Sequence, residues 1–363
     1  MEETKFAYRG VSCARKESNV ASWGVKEAKG PLSRLYFKLP PLGPNEARIK
    51  VLHTGLCHSD CFKADELWGP NVLFPLVPGH EIVAEVEKVG TEVKDFKIGD
   101  MVAFGVFRDC CGNCEFCRRG DDQLCIETPY KFTYDPYLGG YSTHMQVKTS
   151  FLFHLPPNLP KHKAPPIMCA GATVFAPMRR WQKAGMRCGV VGIGGLGHMA
   201  LQFSNKMGMH TVAISTSKTK EKEAREFGAK EFVCSKDEED MKRIQKREKL
   251  DMLVNTAYVV DLTQYLYMVK PGGCFIQVAI PDNNKPVVFD NLDLVLNQKV
   301  FTGSAIGSRS EVADVLKFCN DFEVLPVVEN YKWEEFPKAY ERLKDGHARY
   351  RCVVDVSSTY DNQ

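Results

Sequence analysis

Apolar and polar residues follow two different patterns along the chain, and the change falls near Pro160. Before Pro160, short runs rich in β-branched residues alternate with glycine and proline turns, a pattern that predicts a β-rich domain. These runs lie at 47–52, 82–89 and 101–103. After Pro160, short apolar runs alternate with helical stretches, which predicts a parallel sheet because parallel strands need crossover connections.

The region after Pro160 contains four apolar runs that predict strands, at 189–191, 211–214, 252–254 and 274–278. Between the first two runs, apolar residues recur at the three- to four-residue spacing of one helix face: Leu196, Ala200, Phe203 and Met207. A second helical pattern follows Gly307, and a β-like run at 352–356 closes the chain. The run 235–250 is dense in mixed charge and predicts a solvated helix face, with a partner site as the alternative.

Composition and charge exclude several classes of protein. The chain has 363 residues, of which 44% are apolar, and its 48 basic and 45 acidic residues give a net charge of +3. This small charge argues against a basic nucleic-acid-binding protein. The N-terminus lacks the apolar stretch of a signal peptide. The longest uncharged stretch, 188–205, is broken by several glycines and polar residues, unlike a membrane span. We expect a cytoplasmic protein with neither nucleic-acid nor membrane partners.

A glycine-rich turn joins the first apolar run after Pro160 to the predicted helix. Gly192, Gly194 and Gly197 form a GxGxxG motif, in which Gly195 and Leu196 lie between the last two glycines. Between a strand and a helix, such glycines allow a tight turn, close approach of the backbone to a pyrophosphate, and close helix packing. The helix N-terminus adds free N–H groups and a positive dipole end. The motif therefore predicts a dinucleotide site.

The residues after the second of these runs indicate which dinucleotide binds. An NAD site usually places a carboxylate there for the ribose hydroxyl, but the first carboxylate in this chain is Glu221. Before it come hydroxyls and lysines that suit a 2′-phosphate: Ser215, Thr216, Ser217 and Lys220, with Lys218 as the substitute for Lys220. We therefore predict NADP(H). If these hydroxyls only cap a helix, the sequence is also compatible with NAD.

The cysteines predict one metal site from their local spacing. Of 14 cysteines, five fall between 110 and 125, and four of these follow a regular pattern: Cys111, Cys114, Cys117 and Cys125. Four thiolates without an open position are typical of a structural zinc site. Cys110 breaks the spacing and is left out of the set.

A second, dispersed set of zinc-ligand residue types comprises Cys57, His80 and Cys169. Two thiolates and one imidazole are typical of a zinc site that keeps a fourth position open. Their wide separation leaves an alternative open, because buried cysteines are more often small apolar core residues.

These motifs, in this order, resemble the zinc-dependent medium-chain alcohol dehydrogenases, and more closely their cinnamyl alcohol dehydrogenase branch. The matching segments span nearly the whole chain and lie at 57–60, 79–81, 111–125, 169–174, 192–197, 303–308 and 349–351. The resemblance implies an α/β fold with a β-rich GroES-like catalytic domain and an inserted Rossmann dinucleotide-binding domain with a parallel sheet. It implies that 1–160 and 307–363 form the catalytic domain and 161–306 the dinucleotide-binding domain.

The resemblance also implies roles for individual residues. Cys57, His80 and Cys169 are expected to hold a catalytic zinc, and Glu81 is expected to bind the metal transiently when the site is empty. Asp60 is expected to orient the His80 imidazole.

Three further roles follow from the same resemblance. Ser59 is expected to relay the alcohol proton. His58 is expected to contact the cofactor pyrophosphate, with Arg351 as a second candidate. Phe62 stands where related enzymes often carry a histidine that ends the proton relay, and a phenyl ring transfers no proton.

The implied activity is that of a zinc- and NADP(H)-dependent alcohol dehydrogenase or aldehyde reductase with two zinc ions per chain. Its small-molecule substrate would be an aromatic or medium aliphatic primary alcohol or aldehyde. Ala305 replaces an aromatic residue typical of the lignin-pathway enzymes, which favours a broader aldehyde reductase. The alternatives are a reductase of an activated C=C or imine, and a non-catalytic cofactor-binding protein. The resemblance further implies a homodimer joined at the sheet edge near Val300 and Phe301.

Overall fold

The computed structural model describes residues 11–12, 14–69, 72–128, 131–133, 138–280 and 286–360. They form two compact units. The first unit runs to Cys169 and takes up the chain again at Ser308–Asp321 and from Leu325 onward, and the second spans Ala170–Gly307 with Phe322–Val324. The first unit therefore includes the predicted zinc ligand Cys169.

The first part of the chain is rich in strands, as the pattern before Pro160 predicts. Its strands are β1 (Val11–Ser12), β2 (Val20–Gly24), β3 (Ser33–Lys38), β4 (Glu46–Leu56), β5 (Ile82–Val89), β6 (Met101–Phe104), β7 (His144–Lys148) and β8 (Leu152–His154). Its helices are α1 (His58–Ala64) and α2 (Glu115–Arg118). The predicted runs 47–52, 82–89 and 101–103 lie in β4, β5 and β6.

The second unit carries a six-stranded parallel sheet in the order β11-β10-β9-β12-β13-β14. Its strands are β9 (Arg187–Val191), β10 (His210–Ser215), β11 (Glu231–Cys234), β12 (Leu250–Asn255), β13 (Val269–Gln277) and β14 (Val300–Gly303). Its helices are α3 (Ala170–Trp181), α4 (Gly197–Lys206), α5 (Glu221–Glu226), α6 (Glu238–Lys246), α7 (Thr263–Leu266) and α8 (Asn291–Leu296). This strand order is that of dinucleotide-binding Rossmann sheets.

The pattern after Pro160 is confirmed by this sheet. The four predicted apolar runs lie in β9, β10, β12 and β13, and the predicted helix after the glycine turn is α4. The charged run 235–250 contains α6, which buries only Met241 and Ile244, as expected of a solvated helix.

The last part of the chain completes the first unit with α9 (Arg309–Phe322), β15 (Val328–Lys332), α10 (Phe336–Lys344) and β16 (Arg351–Asp355). A seven-stranded sheet runs in the order β15-β16-β4-β5-β6-β8, with β7 paired to β4, and a three-stranded sheet has the order β1-β3-β2. Helix α10 buries Phe336, Tyr340 and Leu343 in the same core as β4 and β5. No helix in the described part of the chain has the length and apolar character needed to cross a bilayer.

Candidate active site

Four buried side chains converge in the first unit. The metal-ligating atoms of Cys57, His80, Glu81 and Cys169 all lie within 4.8 Å of one another. The two sulfur atoms are 4.0 Å apart, and Nε2 of His80 lies 3.3 Å from Sγ of Cys169. The fold therefore joins the dispersed set that sequence spacing alone left undecided.

Strand pairing explains why these distant residues meet. β4 ends at Leu56, directly before Cys57, and its Thr54 pairs antiparallel with Ile82 at the start of β5, directly after His80 and Glu81. On the other edge of β4, Leu56 pairs with Cys352 of β16, which brings Arg351 to the same place. The short helical turn Pro165–Met168 delivers Cys169.

Asp60 forms hydrogen bonds with the segment that contains Cys57 and with the segment that contains His80. Its Oδ1 accepts hydrogen bonds from the backbone N–H of Gly79 and lies 3.0 Å from Nδ1 of His80. Its Oδ2 accepts from the backbone N–H of Cys57 at 3.1 Å and from the hydroxyl of Tyr141 at 2.7 Å. Asp60 thus lies where the sequence predicts it, against the His80 imidazole. Nothing in the sequence singled out Tyr141, because no motif or regular spacing along the chain links it with Asp60.

The electrostatics of the cluster follow from its burial. A hydrogen bond from the Cys169 thiol lowers the pKa of Cys57 well below its ordinary value, against the opposing effect of burial. Burial alone would lower the pKa of His80, but the Asp60 carboxylate reverses the effect and raises it. The contact with Asp60 places a proton on Nδ1 of His80, which leaves Nε2, on the side of the thiols, as the nitrogen available to a metal.

Glu81 forms a buried ion pair with the guanidinium of Arg351. Burial raises the pKa of Glu81 to about 7, and the positive charge of Arg351 opposes this rise. A Cβ atom at Gly55 would overlap the Glu81 carboxylate, so only glycine leaves room for it there. Arg351, the second candidate for the pyrophosphate contact, is thus buried and paired with Glu81, and its contact with the cofactor stays a prediction.

Ser59 and His58 lie on the first turn of α1, beside the ligands. The Ser59 hydroxyl donates to Sγ of Cys57 at 3.2 Å and lies 3.4 Å from Nε2 of His80. Burial lowers the pKa of His58, so its imidazole is neutral near pH 7. Phe62 packs edge-to-face on Trp68 at a ring distance of 5.6 Å. The predicted pyrophosphate contact of His58 stays a prediction.

The four regularly spaced cysteines form a second cluster in the first unit. The Sγ atoms of Cys111, Cys114, Cys117 and Cys125 lie within 4.8 Å of one another. Backbone N–H groups point at the sulfurs, from Cys111 to Cys125 and from Cys114 to Cys111, both at 3.3 Å. Despite the opposing effect of desolvation, such N–H donors lower the pKa of Cys125 to about 6. Cys110, which the spacing excluded, is not a member of this cluster.

Both clusters fit zinc by the chemistry of their donors. Zinc–sulfur bonds of about 2.3 Å in a tetrahedron place two sulfurs about 3.8 Å apart. The observed separations are 4.0 Å for Cys57 and Cys169 and 3.9 Å for Cys111 and Cys117. Glu81 adds an Oε2 atom that is buried without a hydrogen-bond partner in the part of the chain that the structure describes. Four thiols supply all the ligands of a tetrahedral zinc ion, so the four-cysteine site is closed. Two thiols and one imidazole supply three ligands, so the other site keeps one position open.

The glycine turn of the second unit has the conformation its sequence predicts. Gly192 has a φ of +87°, which favours glycine, and a Cβ atom at Gly197 would overlap the Gly192 carbonyl. At Gly194 a Cβ atom would meet nothing within 4 Å, so the backbone there faces open space. Gly195 and Leu196 complete the turn into α4.

The residues predicted to bind a 2′-phosphate follow β10. Ser215 is the last residue of that strand, Thr216 is exposed, and Ser217 accepts a hydrogen bond from the Thr219 N–H at 3.2 Å. Nζ of Lys220 donates to the Ile193 carbonyl in the glycine turn at 2.7 Å. Lys220 is thus held at the glycine turn.

Lys218, the substitute for Lys220 in the sequence-based prediction, has a different environment. Its ammonium pairs with the Asp237 carboxylate at 3.2 Å. This carboxylate competes with any anionic ligand for Lys218, so Lys220 is the better placed of the two lysines.

Comparisons with known proteins agree with the fold. Residues 43–157 match the alcohol dehydrogenase GroES-like domain, and residues 195–321 match the zinc-binding dehydrogenase family. The chain is 35% identical to "Cinnamyl alcohol dehydrogenase 1" of Capsicum annuum, over 94% of this chain and 97% of the relative. It is 33% identical to "Probable formaldehyde dehydrogenase AdhA" of Bacillus subtilis, over 95% and 99% of the two chains.

The chain is also similar in fold to a protein of known structure. The Helicobacter pylori protein CAD, crystallised in complex with NADP(H), is 30% identical, with a TM-score of 0.84 over 93% of this chain and 98% of that one. The fold and the site define a zinc-binding medium-chain dehydrogenase. The chain belongs to the zinc-dependent medium-chain alcohol dehydrogenase family, in its cinnamyl alcohol dehydrogenase-like branch. The predicted α/β fold with GroES-like and Rossmann domains is confirmed, and the protein is an oxidoreductase.

Proposed function

We propose that this protein is a zinc-dependent aldehyde reductase and alcohol dehydrogenase that uses NADP(H) and holds two zinc ions per chain. The observation that carries the proposal is the convergence of Cys57, His80 and Cys169, with Asp60 hydrogen-bonded to the imidazole. The complete set argues against a non-catalytic cofactor-binding protein, which would not need a zinc site with an open position.

Seven residues of the first unit would hold the two zinc ions. Cys57, His80 and Cys169 would hold the catalytic zinc, and Cys111, Cys114, Cys117 and Cys125 the structural one. When bound, zinc supplies Lewis acidity that polarises a carbonyl and eases loss of an alcohol proton, and a nicotinamide cofactor carries the hydride.

Proton movement falls to the chain itself. The Ser59 hydroxyl lies within 3.4 Å of both Cys57 and His80 and can donate or accept a proton there. Phe62 cannot pass that proton on, so the path from Ser59 must lead through water or the cofactor ribose. Asp60 accepts the hydrogen bond from Nδ1 of His80 and would take no part in the transfer.

The substrate class rests on the need for carbonyl polarisation. The relatives from Capsicum annuum and Bacillus subtilis carry names with different substrates, cinnamyl alcohol and formaldehyde, at nearly the same identity. We therefore infer a primary alcohol or aldehyde, aromatic or medium aliphatic, with the small Ala305 favouring a broad range over a lignin-specific one.

The first test compares two substrates that share an alkyl chain, a saturated aldehyde and an enone without an aldehyde group. We expect NADPH oxidation, followed by absorbance at 340 nm, to be fast with the aldehyde and absent above background with the enone. Removing zinc with a chelator should abolish the aldehyde reaction, and restoring zinc should recover it. Reduction of the enone C=C bond at a comparable rate would instead support the alternative reductase.

We also infer a homodimer joined through the second unit. β14 is an edge strand of the six-stranded sheet, and edge strands offer unpaired backbone groups to another chain. The adjacent α8 exposes three apolar side chains to solvent: Leu292, Val295 and Leu296. Exposed apolar clusters of this kind are typical of protein interfaces.

Solution scattering should therefore give the mass of a dimer. Replacing Leu296, which is 71% exposed, by lysine should place a charge in the interface and shift the protein toward monomer. The matched control is Ile98→Lys, at a residue of the first unit that is 67% exposed, and it should leave the mass unchanged. A monomeric wild-type protein would contradict the inference.

A further inference from the structure

We propose that Tyr141 is a positioning residue for the catalytic metal site, acting through its hydrogen bond to Asp60; this rests on the zinc-dependent function proposed above. The Tyr141 hydroxyl donates to Oδ2 of Asp60 at 2.7 Å. Asp60 in turn contacts His80 and the backbone of Cys57. Tyr141 thus lies two hydrogen bonds, both through Asp60, from the imidazole of one zinc ligand and from the backbone of another.

The geometry of Asp60 shows why a fourth donor matters. Its side chain is fully buried, with 0% exposure. Oδ1 is engaged by Gly79 and His80, and Oδ2 by Cys57 and Tyr141. Each oxygen thus accepts two hydrogen bonds. Among the described residues, Tyr141 is the one residue outside the predicted zinc ligands whose side chain donates to Asp60. Hydrogen bonds to a charged buried group are among the stronger ones, and losing one leaves that group undersatisfied.

Tyr141 is itself held rigidly. It is 0% exposed, and its ring packs edge-to-face on Phe336 of α10 at a centroid distance of 4.7 Å. Its backbone N–H donates to the Pro78 carbonyl, and its carbonyl accepts from Trp23 of β2. A Cβ atom at Gly79 would clash with the Tyr141 ring, at 2.5 Å from Cδ1. The phenol therefore reaches Asp60 from a fixed place in the core of the first unit.

The consequence concerns the metal rather than the fold alone. Without the hydroxyl, the Asp60 carboxylate keeps three donors but loses one of the two on Oδ2, which loosens its hold on Nδ1 of His80. Partners of zinc-bound histidines affect metal affinity by about 10–100-fold when they are removed. Because Tyr141 is one step further out, we expect the lower end of this range for Tyr141→Phe.

The test measures zinc release from the zinc-loaded protein with a colorimetric chelator. The four-cysteine site serves as an internal reference, because none of the hydrogen bonds and ring contacts of Tyr141 among the described residues reaches it. We expect Tyr141→Phe to release the zinc of the Cys57 site roughly ten times faster, with release from the four-cysteine site unchanged. In the cobalt-substituted protein, the visible absorption bands of the Cys57 site should shift.

Tyr340→Phe is the matched control. Tyr340 is a second buried phenol of the same core, but its hydroxyl bonds the Cys61 thiol rather than Asp60. We expect its release kinetics and cobalt spectrum to match those of the wild type. Equal acceleration in both variants would show loosening of the core, and unchanged kinetics and spectrum in Tyr141→Phe would overturn the positioning role. A wild-type protein with no zinc at the Cys57 site would instead overturn the proposed function.

Discussion

Cys169→Ser should abolish aldehyde reduction while the protein stays folded. The variant removes one of two thiolates from the open site, and a serine hydroxyl is a poor zinc ligand at neutral pH. Zinc supplies several kcal/mol of transition-state stabilisation, and about 1.4 kcal/mol corresponds to a tenfold change. We therefore expect a loss of activity of roughly a thousandfold or more. Metal analysis should find two zinc ions per chain in the wild type and one in the variant.

Cys114→Ser is the matched control for Cys169→Ser, because it should also remove one zinc ion, but from the four-cysteine site. A structural zinc site contributes directly to folding free energy. We expect this variant to unfold at a lower temperature and yet to retain activity when assayed well below that temperature. If Cys114→Ser lost activity without losing stability, or if the wild type held a single zinc ion, the assignment of the two clusters would be wrong.

The unmodified enzyme should prefer NADPH over NADH by roughly ten- to a thousand-fold in kcat/KM. A hydrogen bond assisted by the charge of the 2′-phosphate contributes about 1.5–3 kcal/mol, and about 1.4 kcal/mol is one decade. One or two such bonds from Ser215, Thr216, Ser217 and Lys220 give this range. The hydrogen bond from Lys220 to the Ile193 carbonyl holds its ammonium at the glycine turn.

Ser215→Asp tests the same prediction by reversing the coenzyme preference. Its carboxylate at the end of β10 would repel a 2′-phosphate and offer an acceptor to a ribose hydroxyl, so the preference should move toward NADH. Ser310→Asp adds the same charge to an exposed residue of the first unit and should leave the preference unchanged. A wild-type enzyme that already favours NADH would contradict our interpretation of this strand end, while the fold and the zinc chemistry would stand.

Features encoded by neighbouring residues could be predicted from the sequence. The GxGxxG turn lies within six residues, and its conformation follows from the positive φ of Gly192 and the lack of space at Gly197. The four-cysteine cluster lies within fifteen residues, so its spacing already limits how its sulfurs can be arranged. The parallel sheet followed from the alternation of apolar runs and helices, because parallel strands cannot be joined without crossovers.

Features that depend on pairing between distant segments could not be predicted in this way. The sequence contained Cys57, His80 and Cys169, but only the register of β4 against β5 brings the first two together. The place of Arg351 depends on β16 pairing with the other edge of β4. Family resemblance suggested the ligand set and made Arg351 a second candidate for the pyrophosphate contact, but it gave no sign of the buried ion pair between Arg351 and Glu81.

By itself, the sequence determined the two-part α/β organisation, the dinucleotide turn and the closed cysteine site, because each depends on local periodicity or on short spacing. Only the tertiary structure decided how the open site is built. A buried carboxylate must find donors wherever the fold supplies them, and for Asp60 one of these is Tyr141, 81 residues away. Such a partner is selected by packing and burial, and neither leaves a spacing signal along the chain.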